Sequence, residues 1–156
     1  MESSEFEKLA YEAALRSLDK QERVLEELRA RTGVLLGASS LAAAFLGQSA
    51  FGDPEPLVFA VTALVAFVIS IVTSVYILIP KNNLIFAEVG GGLYEGLYAF
   101  RDDMREVYRR LAYQLDRFWE SNDTTIAWLS RTYGIAATAL IVEILSLAAI
   151  LSGNIV

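Results

Sequence analysis

From Leu57 to Ile79 the chain runs LVFAVTALVAFVISIVTSVYILI without one charged residue, and Pro80 closes the run. About 20 apolar residues in helical form cover a hydrocarbon core of about 30 Å. A core helix of a soluble bundle keeps a polar face, whereas this stretch is apolar nearly all round. Two more blocks have the same reach: Thr32 to Ala50 carries no charge, and Tyr133 to Leu151 carries one, Glu143. The expected fold is all-α, an integral membrane protein with three transmembrane helices. Some thirty charged, helix-patterned residues precede the first block, which is not how a cleaved signal peptide begins.

The charges set an orientation. Lys8, Arg16, Lys20, Arg23, Arg29 and Arg31 precede the first block. Lys81, Arg101, Arg105, Arg109, Arg110, Arg117 and Arg131 lie between the second and third. The turn Phe51–Pro56 and the tail after Leu151 have none. By the positive-inside rule the N-terminus and the middle segment are cytoplasmic, and the turn and the C-terminus lie outside. Trp119, Trp128 and Tyr133 fall where an interfacial aromatic belt would sit. The chain then divides into a cytoplasmic amphipathic helix (1–31), a transmembrane hairpin (32–80), a cytoplasmic hinge and helix (81–131) and a third span (132–156).

The cytoplasmic parts carry helical periodicity. Phe6, Leu9, Ala13, Leu18, Leu25 and Leu28 form one apolar stripe, and Leu97, Phe100, Met104, Val107, Leu111, Leu115 and Phe118 form another. The two stripes are expected to pack as an antiparallel pair below the membrane. Gly90, Gly91 and Gly92 read as a flexible hinge. The spacing Gly90-x-Gly92-x-x-x-Gly96 does not fit a dinucleotide fingerprint, and no Gly-Lys-Ser/Thr follows. Ser121, Asn122 and Asp123 are expected to cap the helix that becomes the third span.

Composition narrows the chemistry. The 156 residues include no cysteine and no histidine, which removes disulfides, thiolate metal sites and the commonest general base. No catalytic constellation, metal cluster or cofactor motif appears, so no enzyme is expected. A net charge of −6 argues against a nucleic-acid partner.

Three sets of residues are candidates for function. Gly33, Gly37, Ser40, Ala44 and Gly47 form a small-residue stripe, for self-association into a homo-oligomer or for packing within the chain. Glu143 must face protein or water, since a carboxylate at mid-span costs about 2.5–3.5 kcal/mol on insertion scales. It serves either as a neutral acid bonded to a neighbour or as a group on an ion path. Arg101, Arg105 and Arg109 recur every four residues, with Tyr98 and Tyr108 nearby. Such a set holds a phosphate and stacks a base; the alternatives are a solvated face or a clamp on anionic lipid.

The layout resembles a group of small bacterial membrane effectors of anti-phage signalling, the Pycsar transmembrane effectors and the related SLATT-type proteins. The resemblance lies in LEELRARTGVLLGASSLAAAFLG at Leu25–Gly47, the short turn, YILIPKNN at Tyr76–Asn83, and LSRTYGIAATALIVEILSLAAIL at Leu129–Leu151. Ala30-Arg31 and Lys81 stand where members often carry an acidic–basic pair and an arginine. The resemblance implies a cyclic-nucleotide ligand, residence in the bacterial inner membrane, and an effect that impairs that membrane. A small channel or transporter subunit, and a scaffold that recruits a partner through the cytoplasmic helices, are the other readings.

Overall fold

The computed structural model describes residues 3–50, 57–86 and 90–153. Among these residues the fold is all-helical. Helix α1 spans Ser3–Ala50, α2 Leu57–Leu78, α3 Gly90–Leu97, and α4 Met104–Gly153, with one 3₁₀ turn at Tyr98–Phe100. No proline interrupts α1 or α4. Helix α2 stops before Pro80, which has no N–H to give and disfavours helical backbone at the residue before it. The turn Phe51–Pro56 lies outside the described residues.

The start of α4 is fixed by a cap. The Asp103 carboxylate oxygen Oδ1 accepts from the backbone N–H groups of Arg105 at 3.2 Å and Glu106 at 3.3 Å. These are N2 and N3 of a helix capped by Asp103, and the sequence Asp103-x-x-Glu106 is a capping-box pattern. The helix therefore does not begin at Leu97. Nor does it end at Ser121–Asp123, which lie in its middle. Gly90–Gly92, expected as a hinge, form the first turn of α3. Glycine tolerates loop backbone but does not impose it; each costs a helix about 1 kcal/mol relative to alanine.

The chain divides into two compact units, residues 1–26 with 81–127, and residues 27–80 with 128–156. In the first unit α1 and α4 run parallel, not antiparallel. Glu7 lies 3.9 Å from Arg105, the rings of Tyr11 and Tyr108 are 5.8 Å apart, and the Gln21 amide donates to the Trp119 carbonyl at 3.1 Å. Both residue numbers rise together along the contact. The reason is in the sequence: each helix continues without a break toward an apolar block. The buried stripe of α1 here is Ala14, Leu18, Gln21 and Leu25, while Phe6 and Leu9 are exposed. Asn122 is fully buried and binds the backbone of Ile85 in both directions.

In the second unit three helices bury small and polar residues at three- and four-residue steps. These are Leu28, Thr32, Leu35 and Ser39 on α1, then Ala63, Ala66, Ser70, Ser74 and Ile77 on α2. Helix α4 contributes Leu129, Thr132, Ala136, Ala139, Glu143, Ser146, Leu147 and Ile150. Among the described residues two helices are long and apolar enough to cross a membrane: α2, and α4 by its apolar second half. Only 22% of the most apolar stretch of α2 is buried, against the burial a soluble core helix would show. The Thr32–Ala50 block is helical as the last part of α1.

Candidate functional site

The first unit holds a basic pocket of about 700 Å³, a size typical of small-molecule sites. Arg109, Arg110 and Arg117 line it, with Tyr113, Phe118 and one acid, Glu106. All six come from one side of α4, as adjacent residues and residues three and four apart do on a helix of about 3.6 residues per turn.

The arginines are held by short-range contacts. Arg109 pairs with Glu106 at 2.7 Å, and Arg110 donates to the other carboxylate oxygen at 2.8 Å. Hydrogen bonds from Arg109 and then Arg110 hold the Glu106 carboxyl below its ordinary range. The same hydrogen bond to Glu106 raises the Arg109 guanidinium. Arg110 also lies over the Phe100 ring, 3.8 Å from its centroid. Arg117 makes no ion pair among the described residues. Three guanidinium groups face one carboxylate, so the pocket carries an excess of positive charge suited to an anion.

Of the arginines singled out by spacing, only Arg109 reaches this pocket. Arg101 precedes α4, sits 3.8 Å from Asp102, and lies over the Tyr98 ring at 4.5 Å. Arg105 turns toward Glu7, and Tyr108 packs on Tyr11. Arg101 falls before the Asp103 cap and so lies outside the helix, and Arg105, one turn before Arg109 on α4, pairs toward Glu7 while Arg109 pairs with Glu106. Arg110, Tyr113 and Arg117 were the informative spacing, at steps of three and four from within α4.

In the second unit Glu143 is 1% exposed and accepts from the Ser39 hydroxyl at 2.6 Å. Its other oxygen and the hydroxyls of Ser70 and Ser74 are buried with no hydrogen-bond partner among the described residues. The small-residue stripe faces away from this interior. Gly33, Gly37, Ser40 and Ala44 are exposed, and a Cβ at Gly33 or Gly37 would meet nothing within 4 Å. The side chain of α1 packed inward at this level is Ser39 instead. The side-chain surroundings of Gly47 lie outside the described residues. Compared with known proteins, the chain matches no family model, no curated protein and no solved structure.

Proposed function

We propose that this chain is a three-span membrane protein that binds a phosphate-bearing ligand in its basic pocket and acts through its spans. The pocket of Arg109, Arg110 and Arg117 beside Tyr113 and Phe118 is the observation that carries the reading. Guanidinium groups grip phosphate oxygens through charge-assisted bonds, and an aromatic ring offers a base a stacking surface. A cyclic nucleotide meets both requirements. It is also the ligand that the likeness to Pycsar and SLATT-type effectors implies. On that reading the protein resides in the bacterial inner membrane as a homo-oligomer and impairs the membrane when the ligand is made.

The sidedness follows from charge. All basic residues fall before Thr32 or between Pro80 and Tyr133, and by the positive-inside rule this supports a cytoplasmic side for the pocket, the N-terminus and residues 81–131. Beside α2 and the second half of α4, the remaining span on this reading is Thr32–Ala50, the uncharged end of α1. Helices α1 and α4 each supply residues to both units, so a ligand that binds one arrangement of the first unit more tightly biases the spans.

Binding is tested by calorimetry on the full chain in detergent against a panel of cyclic mono- and oligonucleotides. Saturable binding to one member supports the reading, and no binding to any member removes it. Reporter fusions after Val156 and within Lys81–Ser121 test the sidedness; the first should report the periplasm and the second the cytoplasm. One observation favours a second reading, a channel or transporter subunit: the buried Glu143 keeps one carboxylate oxygen without a hydrogen-bond partner among the described residues. Ion flux through liposomes without any nucleotide would favour that reading.

A further inference from the structure

The second unit carries a groove of about 760 Å³ between α2 and α4. Its walls are Val61, Val65 and Ile69 on one helix and Ile135 and Val142 on the other. Two small buried residues, Ala66 and Ala139, also line it. The groove is open at Gly134, where a Cβ would meet nothing within 4 Å. Its two hydroxyls are already committed. Thr62 donates to the Val58 carbonyl at 2.8 Å and Thr138 to the Gly134 carbonyl at 2.9 Å. The one charged residue in the lining is Arg131, which is exposed and makes no ion pair among the described residues. An apolar channel with a single cation and no other available polar group matches an amphiphile with one negative head.

We propose that this groove holds one anionic glycerophospholipid, with an acyl chain along Ile69, Ile135 and Val142 and its phosphate on Arg131. The inference rests on the reading that α2 and the second half of α4 cross a bilayer. The dimensions fit. From Arg131 to Val142 the helix rises eleven residues, about 16 Å, which is close to half of a hydrocarbon core of about 30 Å. That is the depth of one leaflet for the α4 wall that carries Arg131, and Val61, one turn from the start of α2, continues the lining beyond it toward the other side. Trp128, exposed one turn before Arg131, stands where the headgroup region belongs. A basic residue at the cytoplasmic edge of a span meets the leaflet that carries the anionic lipid. A second copy of the chain fits less well. The groove lining includes no carboxylate, so a symmetric contact would bury Arg131 with nothing to pair it.

The full chain is reconstituted in nanodiscs of phosphatidylcholine, alone or mixed with phosphatidylglycerol. Lipid retained after extraction into neutral detergent is then read by native mass spectrometry. The wild-type chain should retain phosphatidylglycerol several-fold over phosphatidylcholine. Arg131→Gln should lose that preference. Gly134→Leu should lose the retained lipid altogether, and it is expected to fold, since the space is open and leucine favours helix over glycine. No lipid preference in the wild type, or a preference that survives Arg131→Gln, overturns the proposal. Loss of cross-linked dimers in Gly134→Leu with lipid retention unchanged also overturns it and assigns the groove to a second copy. A chain that fails to enter nanodiscs and washes off membranes in carbonate overturns the membrane reading itself, whereas an inserted chain without lipid preference overturns this inference alone.

Discussion

Asn122 closes both hydrogen bonds of its side-chain amide on Ile85: Oδ1 accepts from the Ile85 N–H at 3.0 Å, and Nδ2 donates to the Ile85 carbonyl at 2.8 Å. The amide thus satisfies a loop residue that has no strand or helix to join, and it does so from a fully buried position. Each such bond contributes about 0.5–1.5 kcal/mol net. Asn122→Ala loses both and gains up to about 0.7 kcal/mol of helix propensity. The net expectation is a loss of about 1–2 kcal/mol, with faster hydrogen exchange at the Ile85 amide. Unchanged exchange there would show that the clamp holds nothing in solution.

The same residue shows what sequence reasoning reads and what it misses. Three apolar blocks fix helices through length and period alone, so α2 and the last part of α4 were legible. Ser121-Asn122-Asp123 look like a cap because these side chains often bond local backbone. In the folded chain Asn122 bonds a residue 37 positions away, and α4 runs through. The true cap, Asp103 with Glu106, was in the sequence but was outweighed by an apolar stripe that appeared to begin at Leu97. Placing Arg101 within the helix drew attention to the four-residue series Arg101, Arg105, Arg109 and away from Arg109, Arg110 and Arg117, which line the pocket. Helix direction was legible in principle, since two helices that each lead into a span from the same side must run parallel.

Ser39 and Glu143 form the buried polar contact of the second unit. Ser39→Ala leaves the carboxyl without that hydrogen bond and should cost about 1–3 kcal/mol. Glu143→Gln keeps an acceptor for the Ser39 hydroxyl and should be the milder change. Thermal unfolding in detergent measures both. In cells, Glu143→Leu should preserve ligand binding and lose membrane damage. If damage persists undiminished, Glu143 only joins helices.

The Glu106 carboxyl lies below its ordinary value of 4.5 because Arg109 and Arg110 donate to it. A carboxyl lowered on folding stabilises the fold above its unfolded value, and that contribution is lost as pH falls through the folded value. Stability of the first unit should therefore decline as pH drops below about 4.5. Glu106→Gln should flatten this decline, leaving acid sensitivity only from other groups. A melting curve across acid pH for both chains is the measurement. An equal decline in wild type and variant would mean that the pair contributes nothing.

Gly33 and Gly37 face open space on α1, so their small size serves no packing among the described residues. Small residues let helix backbones approach closely in lipid. Gly37→Leu should leave the monomer folded, with a gain of up to about 1 kcal/mol in helix propensity. It should weaken cross-linked oligomers in detergent. Oligomers of undiminished strength would place the contact between copies elsewhere.

The basic pocket yields the most direct test of function, because its arginines and the neighbouring ones separate cleanly. Arg109, Arg110 and Arg117 line it, while Arg101 and Arg105 are turned to Asp102 and Glu7. A hydrogen bond between a guanidinium and a phosphate contributes about 1.5–3 kcal/mol, and each 1.4 kcal/mol is about tenfold in affinity. Arg117 has no ion pair among the described residues, so its replacement disturbs no internal contact that Glu106 organises. Arg117→Gln should therefore weaken nucleotide binding by about tenfold or more, and Arg117→Glu should abolish it by repulsion. The pair Arg101→Gln and Arg105→Gln should change affinity little. Growth arrest on production of the ligand should follow the same order, with all variants still inserted in the membrane. Should the Arg101 and Arg105 variants lose binding while Arg117→Glu retains it, the ligand sits near the start of α4 and not in this pocket.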